Sequence, residues 1–530
     1  MAALSASQID RAIGLARTAR ARGLASPLLL NLTAYGAERE GRDSDALVDL
    51  RQAHALAPDD IAVLNSLGLC LARLGQMPEA IGKFDEATRL APEFAPGHYN
   101  KGWALEDIGE IDAAAQSYEL AAAHSANPAD ALGRLASLMA RRPDWAETRR
   151  LAGLALAADP QNAFATIAVA SADLAEKDYS AAEGRLSKLL THPEIGSLEQ
   201  ARASMLLGDV LDAQNRADDA FAAYTAGKNE MRRFYTARVG GPDTEAMPQR
   251  LARLTAYFTD ASPGVWGHRS GDAPAEKPPT AAHIFLLGFP RSGTTLLEEV
   301  LACHPQVVTS GERDALAGPA HKYMSSAAGL DLLASGISLD AARNAYWSAV
   351  EAFGIDAGGK IFVDKLPYNT INLPLISRLF PAAKILFAIR DPRDVVLGCF
   401  RQLLQINPAN FEFLTLDGTA RFYDGVMRLA ELYRAKLTLE LLETRYEDIV
   451  EDFEAATRRV CEFAGMEWVP AMQDFAGRAK TRAIATPSAS QIAQGLNRAG
   501  LERWRRYQTA LAPVLPILKP WAERYGYPAT

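Results

Sequence analysis

Cysteine is scarce. Cys70, Cys303, Cys399 and Cys461 are the only four in 530 residues, and no two are close in sequence. That spacing indicates neither a disulfide framework nor a zinc site, and reads as reduced, buried thiols; no metal is expected. Long apolar runs are missing as well. No stretch approaches the ~18 continuous apolar residues that span a bilayer, and the opening MAALSASQIDRAIGLARTARARG has no basic start ahead of an apolar core. Neither a membrane span nor a leader is expected, and the chain reads as cytoplasmic. Positive charge is not in excess: 56 Lys and Arg face 64 Asp and Glu, a net charge of −8, which argues against a nucleic-acid binder. What is present is the composition of a soluble globular protein, 48% apolar and 23% charged. Its length exceeds what one hydrophobic core serves, so two or three domains are expected.

The first half repeats itself at a period of about 34 residues, the tetratricopeptide length. From Ile61 the marks fall on Leu64, Leu67, Gly68, Ala80, Phe84, Ala87 and Pro92. One period earlier they read Leu30, Ala46, Leu50, Ala53 and Pro58, and one later Gly102, Ala114, Tyr118 and Ala121. Weaker units carry Leu132, Leu135, Ala155 and Pro160, then Ala170, Ala182, Leu186 and Leu189, and a last one Leu207, Gly208, Ala220 and Tyr224. Small residues let two helices approach, and bulky ones fill the layer between units. An all-α solenoid is expected over residues 1–238, with about six repeats from 27 to 234. Asn31, Tyr35, Asn65, Tyr99 and Trp103 would line its concave face, either as a groove for a peptide or protein partner or as a wet helical face with ordinary aromatic packing.

Residues 239–281 are rich in Gly, Pro and polar residues around a short helical rhythm and read as a linker. From 282 to 530 short apolar runs alternate with helical stretches. HIFLLGF, KIFVDK, KILFAIR and LTLELLETRY are candidate strands, and VVT a further one, which argues for a parallel sheet covered on both faces. Ligands of such sheets bind beyond the carboxyl ends of the strands, where Arg291, Asp364, Lys365, Arg390 and Tyr446 fall. The loop FPRSGTT after the first strand nearly matches a phosphate-cradling pattern, but Thr294 stands where a triphosphatase needs lysine. Gly293 allows close approach of an anion, Ser292, Thr294 and Thr295 offer hydroxyls and amides, and a helix begins there. The loop reads as a phosphate or sulfate pocket, with P-loop kinase chemistry as a rival reading.

FPRSGTTLL, DKLPYNT, FAIRDPRDVV, RYEDIV and TPSASQI with LERWRRY resemble, in order and spacing, the sulfotransferases that use 3′-phosphoadenosine 5′-phosphosulfate (PAPS). The chain looks similar to bacterial proteins that join tetratricopeptide repeats to a sulfotransferase domain, and to the catalytic domain of tyrosylprotein sulfotransferases. The resemblance implies a P-loop-like α/β domain and PAPS as donor substrate, with a peptide, protein or small hydroxyl compound as acceptor. It further implies that Arg291, Ser292, Gly293, Thr294 and Thr295 hold the 5′-phosphosulfate, that Arg390 holds the 3′-phosphate, and that Tyr446 touches the nucleotide. Lys365 and Ser488 would meet the charge growing on the leaving oxygen, and Glu312 would be the base. A carboxylate of ordinary pKa near 4 and a phenol near 10 differ by about 8 kcal/mol, so such a base acts late, as the new S–O bond forms. His304 and His321 are rival bases. The chain departs from the family at Gly398, where a serine donates to the 3′-phosphate, and at Ala493 and Gly495, where a basic residue and a proline stand. Arg401, one turn beyond Gly398, is the expected substitute donor. A further alternative is a repeat-based binding module whose sulfotransferase domain senses nucleotide without turnover.

Overall fold

The computed structural model describes residues 8–193, 195–236, 245–267, 279–481, 492, 495, 496 and 498–528. The chain divides into two compact units, Met1–Ala223 and Tyr224–Thr530. The division falls inside the helix Ala217–Tyr235.

The first unit is an all-α repeat solenoid. After a leading helix Ile9–Ala21 come the pairs Pro27–Arg39 with Asp43–Leu56, Ile61–Arg73 with Met77–Leu90, and Ala95–Asp107 with Ile111–His124. Ala129–Arg141 with Trp145–Ala158 and Ala163–Ala175 with Tyr179–Leu190 follow, and Ser197–Ala213 precedes Ala217–Tyr235. The starts are written in capping residues: Asp60 accepts from the amides of Ala62 and Val63, and Asn162 from that of Ala165. The glycines of the repeat have a steric cause. A Cβ on Gly68 would lie 2.5 Å from the Phe84 ring, and one on Gly102 would lie 2.9 Å from Tyr118. Of the expected groove residues, Tyr35 is exposed while Asn31, Asn65, Tyr99 and Trp103 are half-buried. Asn65 accepts from Asn100 Nδ2 at 2.8 Å, and the Tyr99 ring tilts against Tyr118.

The second unit is built on five strands, β1 (Ala282–Gly288), β2 (Val307–Thr309), β3 (Ile361–Lys365), β4 (Lys384–Ile389) and β5 (Glu440–Arg445). They are all parallel, in the order β2-β3-β1-β4-β5. The three central strands are almost wholly buried, as expected of a sheet covered on both faces. On one face Ile284, Leu286, Leu297, Val300, Val363, Leu386 and Val460 form the core. On the other, His283, Phe285, Tyr346 and Phe380 stack ring against ring. The register pairs Leu286 with Lys365 and Gly288 with Ala388, so the loop after β1 and the ends of β3 and β4 share one edge.

Part of the segment that reads as a linker is a packed element. Met247–Asp260 is a helix with Leu251, Leu254 and Phe258 buried, and Phe258 stacks edge-on against Tyr433. The cysteines are free; Cys70, Cys399 and Cys461 are buried, while Cys303 is only half-buried. No helix among the described residues is long and apolar enough to cross a membrane.

Candidate donor site and base loop

The loop after β1 is shaped by backbone that side chains would obstruct. Gly288 has φ +148°, and a Cβ there would lie 2.6 Å from the Ala388 carbonyl oxygen. Its amide donates to Thr370 Oγ1 and its carbonyl accepts from the same hydroxyl. Arg291 adopts φ +70°, a conformation rare outside glycine, and Gly293 has φ +96°. A Cβ on Gly293 would meet the Tyr446 ring at 2.8 Å. The helix Thr294–Leu301 starts at that point, with Ser292, Thr294 and Thr295 buried at its mouth.

Cations converge on this loop. Arg390, following β4, lies over the Tyr446 ring at 4.5 Å, donates to the carbonyl of Arg291 at 3.3 Å and to that of Gly500, and sits 4.0 Å from Asp394. Its Nε is buried without a hydrogen-bond partner among the described residues. Burial, with the positive charges of Arg390 and Arg401 nearby, pushes the Arg291 guanidinium down to about 10. Burial pushes the neighbouring Cys399 thiol up to about 12 and, against the pull of Arg390, Asp394 up to about 6. Arg401 lies over the rings of Tyr224 and Tyr507, and its Nη2 donates to the Tyr224 hydroxyl at 2.8 Å. At Gly398 a Cβ would rest 3.5 to 3.7 Å from Cβ, Cγ and Nε of Arg291, ordinary contact distances. Arg291, Arg390 and Arg401 thus bring three guanidinium groups to one glycine-bearing loop.

Beside it lies a second cluster. Lys365, the last residue of β3, is fully buried, with Nζ 2.9 Å from Glu298 Oε2 and 2.5 Å from Glu312 Oε1. Glu312 follows β2 in a loop stitched to β3: Ser310 N donates to Val363 O, Glu312 N to Lys365 O, and Lys365 N to Ser310 Oγ. Gly311 and Glu312 both take positive φ, which turns the Glu312 carboxylate back toward Lys365. Behind the cluster, Tyr346 donates to Asp364 Oδ2 at 2.6 Å and meets His283 Nε2 at 2.9 Å. Burial pushes Asp364 up to about 7 and His283 down to about 3.

The geometry therefore brings Arg291, Ser292, Gly293, Thr294, Thr295, Arg390, Gly398 and Tyr446 around one loop, and Lys365 with Glu312 next to it. Ser488 and Ala493 lie outside the described residues. His304 Nδ1 accepts from the Gln306 amide, and His321 is exposed on the helix Ala317–Met324. Glu298, Ser310, Thr370 and Gly500 were not singled out by sequence.

A five-stranded parallel sheet with a glycine-bearing loop after β1 and cations at the strand ends defines the second unit as an α/β domain. Residues 283–470 match the model of the Sulfotransferase family, and the second unit carries a domain of that family. An uncharacterised protein of Aquifex aeolicus is 27% identical over 360 residues, covering 65% of this chain, which spans 45% of that relative. Protein-tyrosine sulfotransferase A of Caenorhabditis elegans is 24% identical over 258 residues, 47% of this chain and 68% of that one. Among solved structures, the type IV pilus biogenesis factor PilW matches with 18% identity and a TM-score of 0.34, over 37% of this chain and 90% of that one.

Proposed function

We propose that the protein is a sulfotransferase that moves the sulfuryl group of PAPS to a hydroxyl acceptor, which its repeats recruit directly or through a partner protein. The observation that carries this reading is the side-by-side placement of an arginine-lined loop and a buried Lys365 paired with the exposed Glu312, at the carboxyl ends of β1, β3 and β4. PAPS supplies the activated S–O bond. Arg291, with Ser292, Gly293, Thr294 and Thr295, holds the 5′-phosphosulfate, while Arg390 and Tyr446 hold the 3′-phosphate end. An ammonium has three N–H bonds, and Lys365 directs two at carboxylates, leaving one for the oxygen that bridges sulfur and nucleotide. Ser488 is the second donor to that oxygen. The acceptor oxygen bonds to sulfur, the old S–O bond breaks with its electron pair going to the bridging oxygen, and the acceptor proton passes to Glu312. Donors fixed before the charge develops lower the barrier because nothing reorganises during reaction.

Incubation with PAPS and a panel of hydroxyl acceptors, tyrosine peptides included, in magnesium-free buffer is the test. Release of adenosine 3′,5′-bisphosphate in step with acceptor sulfation is expected. Tight bisphosphate binding without turnover on any acceptor would favour a nucleotide-sensing module, and a preference for ATP with magnesium would favour a kinase.

A further inference from the structure

Glu298 is a carboxylate in a place where a charge is costly. It lies on the helix Thr294–Leu301, whose every residue is buried, and is 3% exposed. Its two oxygens do different things: Oε2 is 2.9 Å from Lys365 Nζ, and Oε1 accepts from the Gly311 amide at 3.1 Å. One side chain thus holds both the lysine and the loop that presents Glu312.

We propose that Glu298 is a positioning residue, the permanent counter-ion of Lys365 and the anchor of the Glu312 loop. The inference rests on the sulfuryl-transfer reading for its catalytic half and on geometry alone for its anchoring half. In that reaction Glu312 begins as a carboxylate paired with Lys365 and ends carrying the acceptor's proton. At that moment Glu312 no longer balances the Lys365 ammonium, which is fully buried. A buried cation that loses its only anion is driven to move, to shed its proton or to hold back the proton transfer. Glu298 removes that conflict, because Lys365 keeps one full countercharge before and after the transfer. Its geometry also divides the labour: the charge acts on Lys365, whereas an oxygen acceptor of either charge suffices for Gly311. Glu298→Gln therefore keeps the anchor and loses the counter-ion, and Glu298→Ala loses both.

The test uses the full chain and three measurements: amide hydrogen exchange across residues 310–312, affinity for adenosine 3′,5′-bisphosphate, and steady-state sulfuryl transfer. Glu298→Gln should keep the slow exchange of Gly311 and the nucleotide affinity but lower kcat about 10- to 100-fold, inside the range of general base catalysis, with KM little changed. Glu298→Asp, which restores the charge, should recover part of the loss. Glu298→Ala should speed exchange at Gly311. Wild-type kcat in Glu298→Gln would overturn the counter-ion role, and unchanged exchange in Glu298→Ala would overturn the anchor. Should the wild-type protein transfer no sulfuryl group while Glu298→Ala frees the Gly311 amide, the enzymatic reading falls and the anchor stands. If Glu298→Ala fails to fold, Glu298→Gln with faster Gly311 exchange would equally contradict the anchor as drawn.

Discussion

Removing Lys365 would strand Glu298, which keeps 4% of its side chain exposed and has no other cation paired with it among the described residues. Breaking a buried ion pair by deleting one partner costs about 3–5 kcal/mol, most of it the price of the charge left behind. Lys365→Met should therefore lower the urea midpoint sharply, and Lys365→Met combined with Glu298→Gln should recover much of the loss. A double variant no more stable than the single one would show that the pair does not carry the stability assigned to it. The arginines call for a different measurement, since their worth lies in binding. Gly398 lies against the stem of Arg291 with room for a Cβ, so Gly398→Ser should change the affinity for adenosine 3′,5′-bisphosphate by less than about threefold. If Arg401 is the donor that replaces the missing serine, Arg401→Ala should weaken that ligand by about 10- to 150-fold, the worth of a hydrogen bond to a charged group. A silent Arg401→Ala beside a Gly398→Ser that tightens binding several-fold would show that no donor has replaced the missing serine, and strong discrimination against adenosine 5′-phosphate with both substitutions silent would place the 3′-phosphate elsewhere.

At the scale of elements, the strands were legible because a parallel sheet covered on both faces needs continuous apolar runs, and HIFLLGF, KIFV and KILFAI have no other explanation. Arg291, Lys365 and Arg390 were legible as strand-end residues for the same reason. Glu298 was not, because a glutamate in a helix reads as a solvent-facing residue, and the helix Thr294–Leu301 has no solvent face. The helix Met247–Asp260 showed its rhythm at Leu251, Leu254 and Phe258, but its Gly- and Pro-rich flanks made it read as part of a linker rather than as a packed element. The ring-lined face of the sheet yields a pH prediction. Asp364, raised by burial to about 7 against an ordinary 3.8, contributes stability that is present below about pH 4 and lost as pH rises toward 7. His283, lowered by burial to about 3 against an ordinary 6.5, contributes stability that is present above 6.5 and lost as pH falls toward 3. Between about pH 4 and 6.5 the two slopes oppose each other, each up to about 1.4 kcal/mol per pH unit, and nearly cancel. Asp364→Asn should leave the histidine slope alone, so that its stability relative to wild type rises with pH across this window, while His283→Asn should show the reverse. Urea midpoints at three pH values decide it, and parallel curves for all three proteins would refute the assignment.

At the scale of the whole molecule, the helix Ala217–Tyr235 matters most, because the boundary of the second unit lies within it, at Tyr224. Inside that unit Tyr224 accepts from Arg401, and Lys228, one turn on, donates from Nζ to the Gln402 carbonyl at 2.6 Å. Lys228 is buried with its ammonium pushed down to about 7 by desolvation, a cost that the fold sustains only while that contact is kept. The segment from Tyr224 is therefore tied to Arg401 and Gln402 of the second unit although its sequence belongs to the last repeat. Two truncations separate the roles. Deleting residues 1–216 keeps Tyr224 and Lys228 and should leave bisphosphate affinity near that of the full chain. Deleting 1–235 removes both and should weaken it about tenfold or more, the worth of one hydrogen bond to a charged group. If the repeats also recruit the acceptor, the shorter truncation should raise KM for a peptide or protein acceptor while leaving a small phenol unaffected. Equal nucleotide affinity in the two truncations would show that Arg401 needs neither Tyr224 nor Lys228, and unchanged KM for every acceptor would assign the repeats to a partner other than the substrate.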